Sequence, residues 1–427
     1  MQIISLLLYN LIISLYGLGI LITSLFNNKA KQWIAGRENQ GPVKLPINAA
    51  SQKKVWVHCA SLGEFEQARP VIEKIKNNKP STCIILTFFS PSGYEVRKNY
   101  KYADAVLYLP LDNAKNATDF IDAIQPDLVL FVKYEFWYHY LTTLKNRNIP
   151  AVLFSAIFRK EQVFFKWYGS FFRNLLTCFT KIFVQNKESQ QLLSDIGMQS
   201  EISFDTRFDR VFEIAQTAKS FPLVEAFKGA SKRTKLLIAG STWKKDEALI
   251  SKIILNYQKF SDFKFIIAPH NLSATEIKEF QRKLETDLEP GPPIEAIFLS
   301  ELTVEYAESA NVIIIDTMGD LSSLYRYADI VYVGGGFNAS VHNVLEPAVY
   351  GVPIIFGPNY TKSAEAKELR QLSAAFPVSD AKQLATIITG LNSNNKLMKT
   401  ASDNAKQYVQ SHLGGVNDIY KYISRYL

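Results

Sequence analysis

The sequence predicts an α/β protein made of two successive parallel-sheet domains with a cleft between them, preceded by an apolar N-terminal helix. Short, continuously apolar runs alternate with helical patterns twice along the chain. A polar break carrying Pro222, Gly229 and Ser231 separates the two series, and no charged side chain occurs from Met1 to Asn28. Strands that are apolar at every position, not at every second one, are buried on both faces, as in a parallel sheet covered by helices. At 427 residues the chain is long for one core and suits two. The expected division is an apolar helix and basic linker over 1–45, a first domain over 46–220 and a second over 221–427.

The elements follow in order. Ile3 to Phe26 is mostly Ile, Leu and Tyr; at ~1.5 Å per residue it is long enough for a ~30 Å hydrocarbon core. No basic segment precedes it and no small-x-small site stands between its end and Lys29, so a retained membrane helix is favoured over a cleaved signal peptide. Lys29, Lys31 and Arg37 follow directly, and the positive-inside tendency puts the rest of the chain in the cytoplasm. Asn10, Gly17 and Gly19 weaken the span, which leaves a helix lying in the interface as the alternative. The first series of strands comprises 55–57, 84–86, 106–108, 128–131, 152–154 and 182–184, with helices such as Glu66 to Lys76 and Asn113 to Ala123. The second comprises 236–239, 265–267, 296–298, 312–315, 330–333 and 354–356. Phe164 to Lys181 mixes Phe, Trp and Leu with Lys166, Arg173 and Lys181 and has no acid, which suits an interfacial helix or a core helix with snorkelling cations.

Ligands of such sheets sit beyond the carboxyl ends of the strands, so the residues just after each run are the candidates for chemistry. After Val57 comes His58-Cys59-Ala60-Ser61-Leu62-Gly63-Glu64, in which Gly63 allows a sharp turn and Glu64 stands at a helix start, as a base for an incoming hydroxyl or as a complement to the helix dipole. His58 reads as a strand-end packing or hydrogen-bonding residue. After Phe131 comes Glu135, whose bland reading is an ion pair with a neighbouring Lys or Arg. Arg207, beside the break, could clamp an anion or pair with Asp205 or Asp209. In the second series, Gly240-Ser241-Thr242-Trp243, Pro269-His270, Asp316 to Asp320, and Gly334-Gly335-Gly336 followed by His342, Asn343 and Glu346 all close strands. A glycine run there lets backbone N–H groups approach a phosphate, and Glu346 can accept from two sugar hydroxyls. The formal net charge of +8 and the pI near 9.0 fit an anionic partner, a phosphate-bearing substrate or anionic lipid. No recognised nucleic-acid motif accompanies the charge. Cys59, Cys83 and Cys178 lack metal-ligand spacing and read as buried thiols of a reducing compartment.

The set SLGEFE (61–66), KYEFW (133–137), GSTW (240–243), DTMGDL (316–321) and VHNVLEPA (341–348), with the N-terminal apolar helix, closely resembles bacterial Kdo transferases, which add 3-deoxy-D-manno-octulosonic acid to a lipid A precursor. The resemblance covers essentially the whole chain. It implies a GT-B fold of two Rossmann-like domains, the first taking the acceptor and the second the nucleotide sugar. It further implies CMP-Kdo as donor, an inverting reaction, no metal or other cofactor, and a catalytic body on the cytoplasmic side of the bacterial inner membrane. By the same resemblance Glu64 matches the general base, and Glu135 and Arg207 match transition-state stabilising positions. Pro269 and His270, Met318, Gly319 and Asp320, and Asn343, Val344, Leu345 and Glu346 match the CMP-binding segments. Arg207 stands where the family often has Lys, and the usual Pro-Arg-His reads Pro269-His270-Asn271. The alternatives are another GT-B enzyme using a UDP-sugar and a non-catalytic, membrane-tethered two-lobed binding protein.

Overall fold

The computed structural model describes residues 2–46, 49, 51–229, 231, 233–256, 260–286 and 294–427. They form two compact units, Met1–Asp209 with His412–Leu427, and Arg210–Ser411. The first unit holds a sheet of β1 (Lys54–Cys59), β2 (Cys83–Phe88), β3 (Ala105–Tyr108), β4 (Leu128–Val132), β5 (Ala151–Ala156), β6 (Lys181–Val184) and β7 (Glu201–Ile202), in the order β3-β2-β1-β4-β5-β6-β7. The second holds β8 (Lys235–Thr242), β9 (Phe263–Pro269), β10 (Ala296–Phe298), β11 (Val312–Ile314), β12 (Ile330–Val333), β13 (Ile354–Phe356) and β14 (Ala375–Pro377), in the order β10-β11-β9-β8-β12-β13-β14. Every pairing is parallel. These are the two Rossmann-like units of the GT-B fold, each with its strand order reversing once, between β1 and β4 and between β8 and β12.

Burial on both faces accounts for the apolar runs. Trp56, Ile85, Val129 and Phe131 pack on one side of the first sheet, and Val55, Val57, Ile84 and Leu130 on the other. In the second sheet Leu237, Phe265, Ile314 and Tyr332 line one core while their neighbours Ile238, Ile266, Ile313 and Val331 are equally enclosed. At roughly 1.5–3 kcal/mol per fully buried large side chain, these faces dominate the stability of each unit.

The division between the units differs from the expected one. The break falls at Asp209 and residues 412–427 belong to the first unit. There the helix Gly415–Ile423 puts Val416, Ile419 and Ile423 into the first core. Asp209 holds its start, accepting the N–H of Gly414 at 2.8 Å and of Val416 at 3.0 Å.

Phe164 to Lys181 is not one helix. A single 3-10 turn, Val163–Phe165, is followed by the seven-residue helix Ser170–Leu176. The Arg173 guanidinium donates to the carbonyls of Phe164 (2.9 Å) and Lys166 (2.8 Å), satisfying acceptors that a continuous helix would have paired. Phe164, Phe171, Leu175 and Leu176 are core residues. Of the segment's large hydrophobic side chains only Trp167 and Tyr168, on the turn, are exposed, at 90% and 60%.

The N-terminal helix runs Gln2–Thr23, and Asn27 caps the next, Asn28–Glu38. That second helix docks through Arg37, which stacks over Trp33 at 3.5 Å and donates to the carbonyls of Leu109 (3.0 Å) and Phe89 (2.8 Å).

Candidate active site

In the first unit the chain leaves β1 and turns at Ser61, whose extended backbone (φ −142°, ψ 175°) caps the helix Leu62–Asn78. Glu64 is the third residue of that helix, and its Oε2 accepts the Ser61 N–H at 2.7 Å and the Ser61 hydroxyl at 3.0 Å. The carboxylate is thus a capping group that fixes its own position. Gly63 does not make the expected sharp turn: a Cβ there would meet nothing nearer than the Ser61 hydroxyl at 3.8 Å, and Ser61 does the turning. Burial raises the Glu64 carboxyl above the ordinary carboxylate value, the charge of Glu135 raises it further, and the bonds from Ser61 oppose both.

Glu135 lies just past β4, across the strand-order reversal from β1, after a left-handed turn at Lys133 (φ 67°). It is buried, and no Lys or Arg pairs with it among the described residues. Its Oε2 instead meets the indole N–H of Trp137 at 2.6 Å and His58 Nε2 at 3.0 Å. His58 Nδ1 is 2.8 Å from the Thr87 hydroxyl, which also accepts the indole N–H of Trp56 at 2.8 Å. A carboxylate only accepts, so the network assigns the imidazole proton to Nε2, and the Thr87 hydroxyl donates to Nδ1. His58 is the strand-end hydrogen-bonding residue that the sequence suggests, and it acts as the support of Glu135.

Arg207 pairs with Asp205. Its Nε lies 3.1 Å from both carboxylate oxygens, its Nη2 2.8 Å from Oδ2, and its backbone N–H donates to Oδ1 at 2.9 Å. Asp205 also accepts from Gln67 (2.6 Å) and Gln185 (3.1 Å). Burial works against its charge, but Arg207 and these donors prevail and hold its carboxyl below the ordinary range. Tyr134 feels both Glu64 and Asp205; burial and these two charges raise its hydroxyl, while Arg159, 5.9 Å over the ring, opposes them. Glu64 thus lies within the influence of Glu135, and Tyr134 within that of Glu64 and Asp205.

In the second unit the sequence-predicted residues all follow the C-terminal ends of strands. Pro269 ends β9, and the His270 ring stacks on Trp243 (4.4 Å) and His342 (4.6 Å). The Trp243 indole N–H donates to His342 Nε2 at 2.9 Å, which puts the His342 proton on Nδ1. Burial lowers the His342 pKa, His270 adds to this, and Asp246 opposes. After β11, Met318 is 88% exposed beside Gly319 (φ 88°), and Asp320 accepts from Lys219 Nζ and the Thr317 hydroxyl, each at 2.8 Å. Beyond β12, Asn343 donates to Glu346 Oε1 at 2.9 Å and accepts the Leu345 N–H at 3.1 Å. Val344 and Leu345 have buried side chains, so they can offer a ligand only backbone.

The glycine run works differently from expectation. The Gly334 N–H donates to the Gly240 carbonyl at 2.9 Å and the Gly335 N–H to Asp246 at 3.0 Å, so two of the three donors are spent within the protein. A Cβ on Gly334 would lie 2.3 Å from the Ser241 carbonyl oxygen, and one on Gly336 2.5 Å from the Gly357 nitrogen. The glycines let loops close on each other. Asp246 is what organises them: fully buried, it also accepts the Trp243 N–H at 3.0 Å and the Tyr332 hydroxyl at 2.7 Å. It was findable only as an acid three residues beyond Trp243, at a helix start. The helix behind the run, Leu345–Ala348, is a single turn. Beside Trp243 and Pro269 opens a cavity of about 720 Å³ lined also by Lys244, Glu247, Glu276 and Lys283. Burial pushes the Glu247 carboxyl up to about 7, with Asp246 and Glu276 adding to it and the Thr242 hydroxyl opposing.

A family model described as 3-deoxy-D-manno-octulosonic-acid transferase (kdotransferase) matches residues 35–210. A 3-deoxy-D-manno-octulosonic acid transferase of Rickettsia felis is 27% identical over 415 residues, covering 90% of this chain and 82% of that one. The one of Aquifex aeolicus is 28% identical over 350 residues, covering 81% and 88%. Among solved structures, UDP-GlcNAc 2-epimerase from Neisseria meningitidis superposes with a TM-score of 0.53 at 16% identity, over 87% of this chain and all of that one, a likeness of fold alone.

Proposed function

Because the chain belongs to the Kdo transferase family and is a glycosyltransferase of GT-B fold, we propose that it transfers Kdo from CMP-Kdo to a lipid A precursor during lipopolysaccharide synthesis. The proposed reaction is metal-independent and inverting, on the cytoplasmic side of the inner membrane. The observation that carries the reading is Glu64: a partly buried carboxyl with a raised pKa, fixed at a helix start within the influence of Glu135. A base of that kind is well matched to removing a proton from an alcohol as the bond to carbon forms.

In the proposed step an acceptor hydroxyl oxygen attacks the anomeric carbon of Kdo, its proton passes to Glu64, and the bond to the CMP phosphate breaks on the opposite face. CMP departs with the electron pair, so configuration inverts. Glu135, held by Trp137 and His58, supplies fixed negative charge against the positive character that develops at the sugar ring. Arg207 acts as one half of a rigid pair with Asp205, so its charge is placed and partly neutralised. In the second unit Glu346, steadied by Asn343, is the proposed ribose acceptor. His270, Met318, Gly319 and Asp320 complete the proposed CMP site, with Pro269, Val344 and Leu345 shaping it through backbone and packing.

The test is to incubate the full-length protein with a lipid A precursor in detergent or vesicles and offer CMP-Kdo and a panel of UDP-sugars, with chelator present. Mass spectrometry should find acceptor enlarged by Kdo, with release of CMP. Consumption of a UDP-sugar with CMP-Kdo untouched overturns the donor assignment, and ligand binding without any product overturns catalysis.

A further inference from the structure

We propose that the N-terminal helix lies in the plane of one leaflet, clamped lengthwise to the first unit, and does not cross the bilayer. The inference rests on the membrane location proposed above and adds its geometry. Along Gln2–Thr23 the half-buried residues Ser5, Leu6, Tyr9, Asn10, Ile13, Gly17 and Ile20 recur at spacings of three and four. The exposed large side chains Ile4, Leu8, Leu11, Leu15, Leu18 and Ile22 have the same spacing, and Ile3, Leu7, Ile12 and Leu21, also exposed, flank them. At about 100° per residue the two sets centre on opposite sides of the helix. One face is therefore docked over about 21 Å of axis, from Leu6 to Ile20, and the other is an unbroken apolar stripe.

Polar contacts pin the docked face. The Tyr9 hydroxyl donates to Asp112 at 2.5 Å and accepts the Tyr138 N–H at 3.2 Å, and Asn10 Oδ1 lies 2.6 Å from His139 Nε2. Asp112 is buried and takes the N–H groups of His139 and Tyr140 as well, both at 3.1 Å. Tyr16 stacks on Phe89 at 6.0 Å, and the Gly17 backbone closes on Leu111. These partners all belong to loops and helix starts of the first unit.

In a spanning helix, Tyr9 and Asn10 would sit about 12 Å along the axis from Gln2, deep in a ~30 Å core. The turns bearing Asp112 and His139 would then enter hydrocarbon, where ionisable groups are strongly disfavoured. Laid in the interface, the same contacts stay at headgroup depth and the exposed Leu and Ile side chains face acyl chains. The neighbouring surface fits a leaflet as its occupant. Lys29 and Lys31 follow the helix, in a chain of net charge +8 that suits anionic headgroups. Trp167 and Tyr168 project from the turn before the helix of Phe171, which contacts Tyr9 at 6.2 Å, and Trp and Tyr are the side chains that favour the membrane interface.

The test places one fluorophore at a time on the exposed stripe through Leu8→Cys, Leu15→Cys and Ile22→Cys in the full-length chain. Cys59, Cys83 and Cys178 are buried, and the unsubstituted protein controls for their labelling. Vesicles of phosphatidylethanolamine and phosphatidylglycerol carry a quencher at a shallow or a deep acyl position. The expected result is the same shallow-to-deep quenching ratio at all three positions, within about twofold. A ratio graded along the helix, with Leu15 quenched most by the deep lipid, overturns the proposal. So does a lack of lipid quenching at all three, which means that protein, such as a second copy of the chain, covers the stripe. Kdo transfer is assayed separately and does not enter the ratio, so a wrong substrate assignment leaves this result standing.

Discussion

Replacing His58 with Ala probes the support of Glu135. The imidazole is fully buried and is one of two donors to a carboxylate oxygen that water barely reaches. Its removal deletes a hydrogen bond to a charged group, at roughly 1.5–3 kcal/mol, and leaves a ring-sized void, at roughly another 1–2 kcal/mol. The Thr87 hydroxyl also loses an acceptor and falls back on the Val57 carbonyl at 3.5 Å. A total near 2.5–5 kcal/mol converts, at roughly 2–4 °C per kcal/mol for units of this size, to a Tm loss of about 5–20 °C. Trp56 and Trp137 flank the network, so tryptophan fluorescence reports the melting of the first unit. His58→Gln, which can still donate to Glu135, should recover part of the loss. A Tm within about 1 °C of the parent in the Ala variant refutes the wiring, because an unsupported buried carboxylate cannot be that cheap.

Four further outcomes follow from the same geometry. The acid limb of the pH–kcat/KM profile should lie above the ordinary carboxylate range, since burial and Glu135 raise Glu64; Glu135→Gln, which removes one of those causes, should move that limb toward lower pH while slowing turnover. Arg207→Ala leaves Asp205 buried without its cation and should cost about 3 kcal/mol or more in urea unfolding, whereas Arg207→Lys keeps the charge, loses the two-point geometry and should cost less. Asp246→Ala removes the acceptor of two N–H groups and a hydroxyl in a fully buried site, and by the same reasoning should lower the midpoint of the second unit by more than any single surface substitution there. Glu247 has a folded-state pKa near 7 against an ordinary 4.5, so the stability it contributes is full below about 4.5 and lost as pH rises through 7; Glu247→Gln should flatten that decline in a pH series of thermal melts.

The sheets were legible because each central strand is enclosed on both faces, which writes itself into the sequence as an unbroken apolar run. The two strands that escaped are β7, two residues of which one is Glu201, and β14, which ends on Pro377, so neither is an unbroken run of apolar strand formers. Glu64 and Glu135 stood out as candidates because each comes a few residues after a legible strand, and Arg207 because it lies beside the polar break. Of their partners, Asp205 was readable beside Arg207, but those brought in by the fold were not. His58 and Glu135 are 77 residues apart, and Gln67 and Asp205 are 138 apart. Nothing local in the chain announces a pair closed by the fold. The glycine run misled for a related reason: glycine marks a close approach without saying whether ligand or loop arrives, and here Gly357 and Ser241 do. In the segment around Trp167, composition was readable but the break in the helix was not, because it depends on Arg173 folding back onto two carbonyls.

The most direct measurement of the central claim is the pair of donor binding and single-turnover rate in Glu64→Gln. The side chain keeps its size and can still accept from Ser61, so the helix start should survive. CMP-Kdo affinity should stay within about twofold of the parent while the rate of Kdo transfer falls by about 100-fold or more. Transfer at close to the parental rate would mean that another group takes the acceptor's proton.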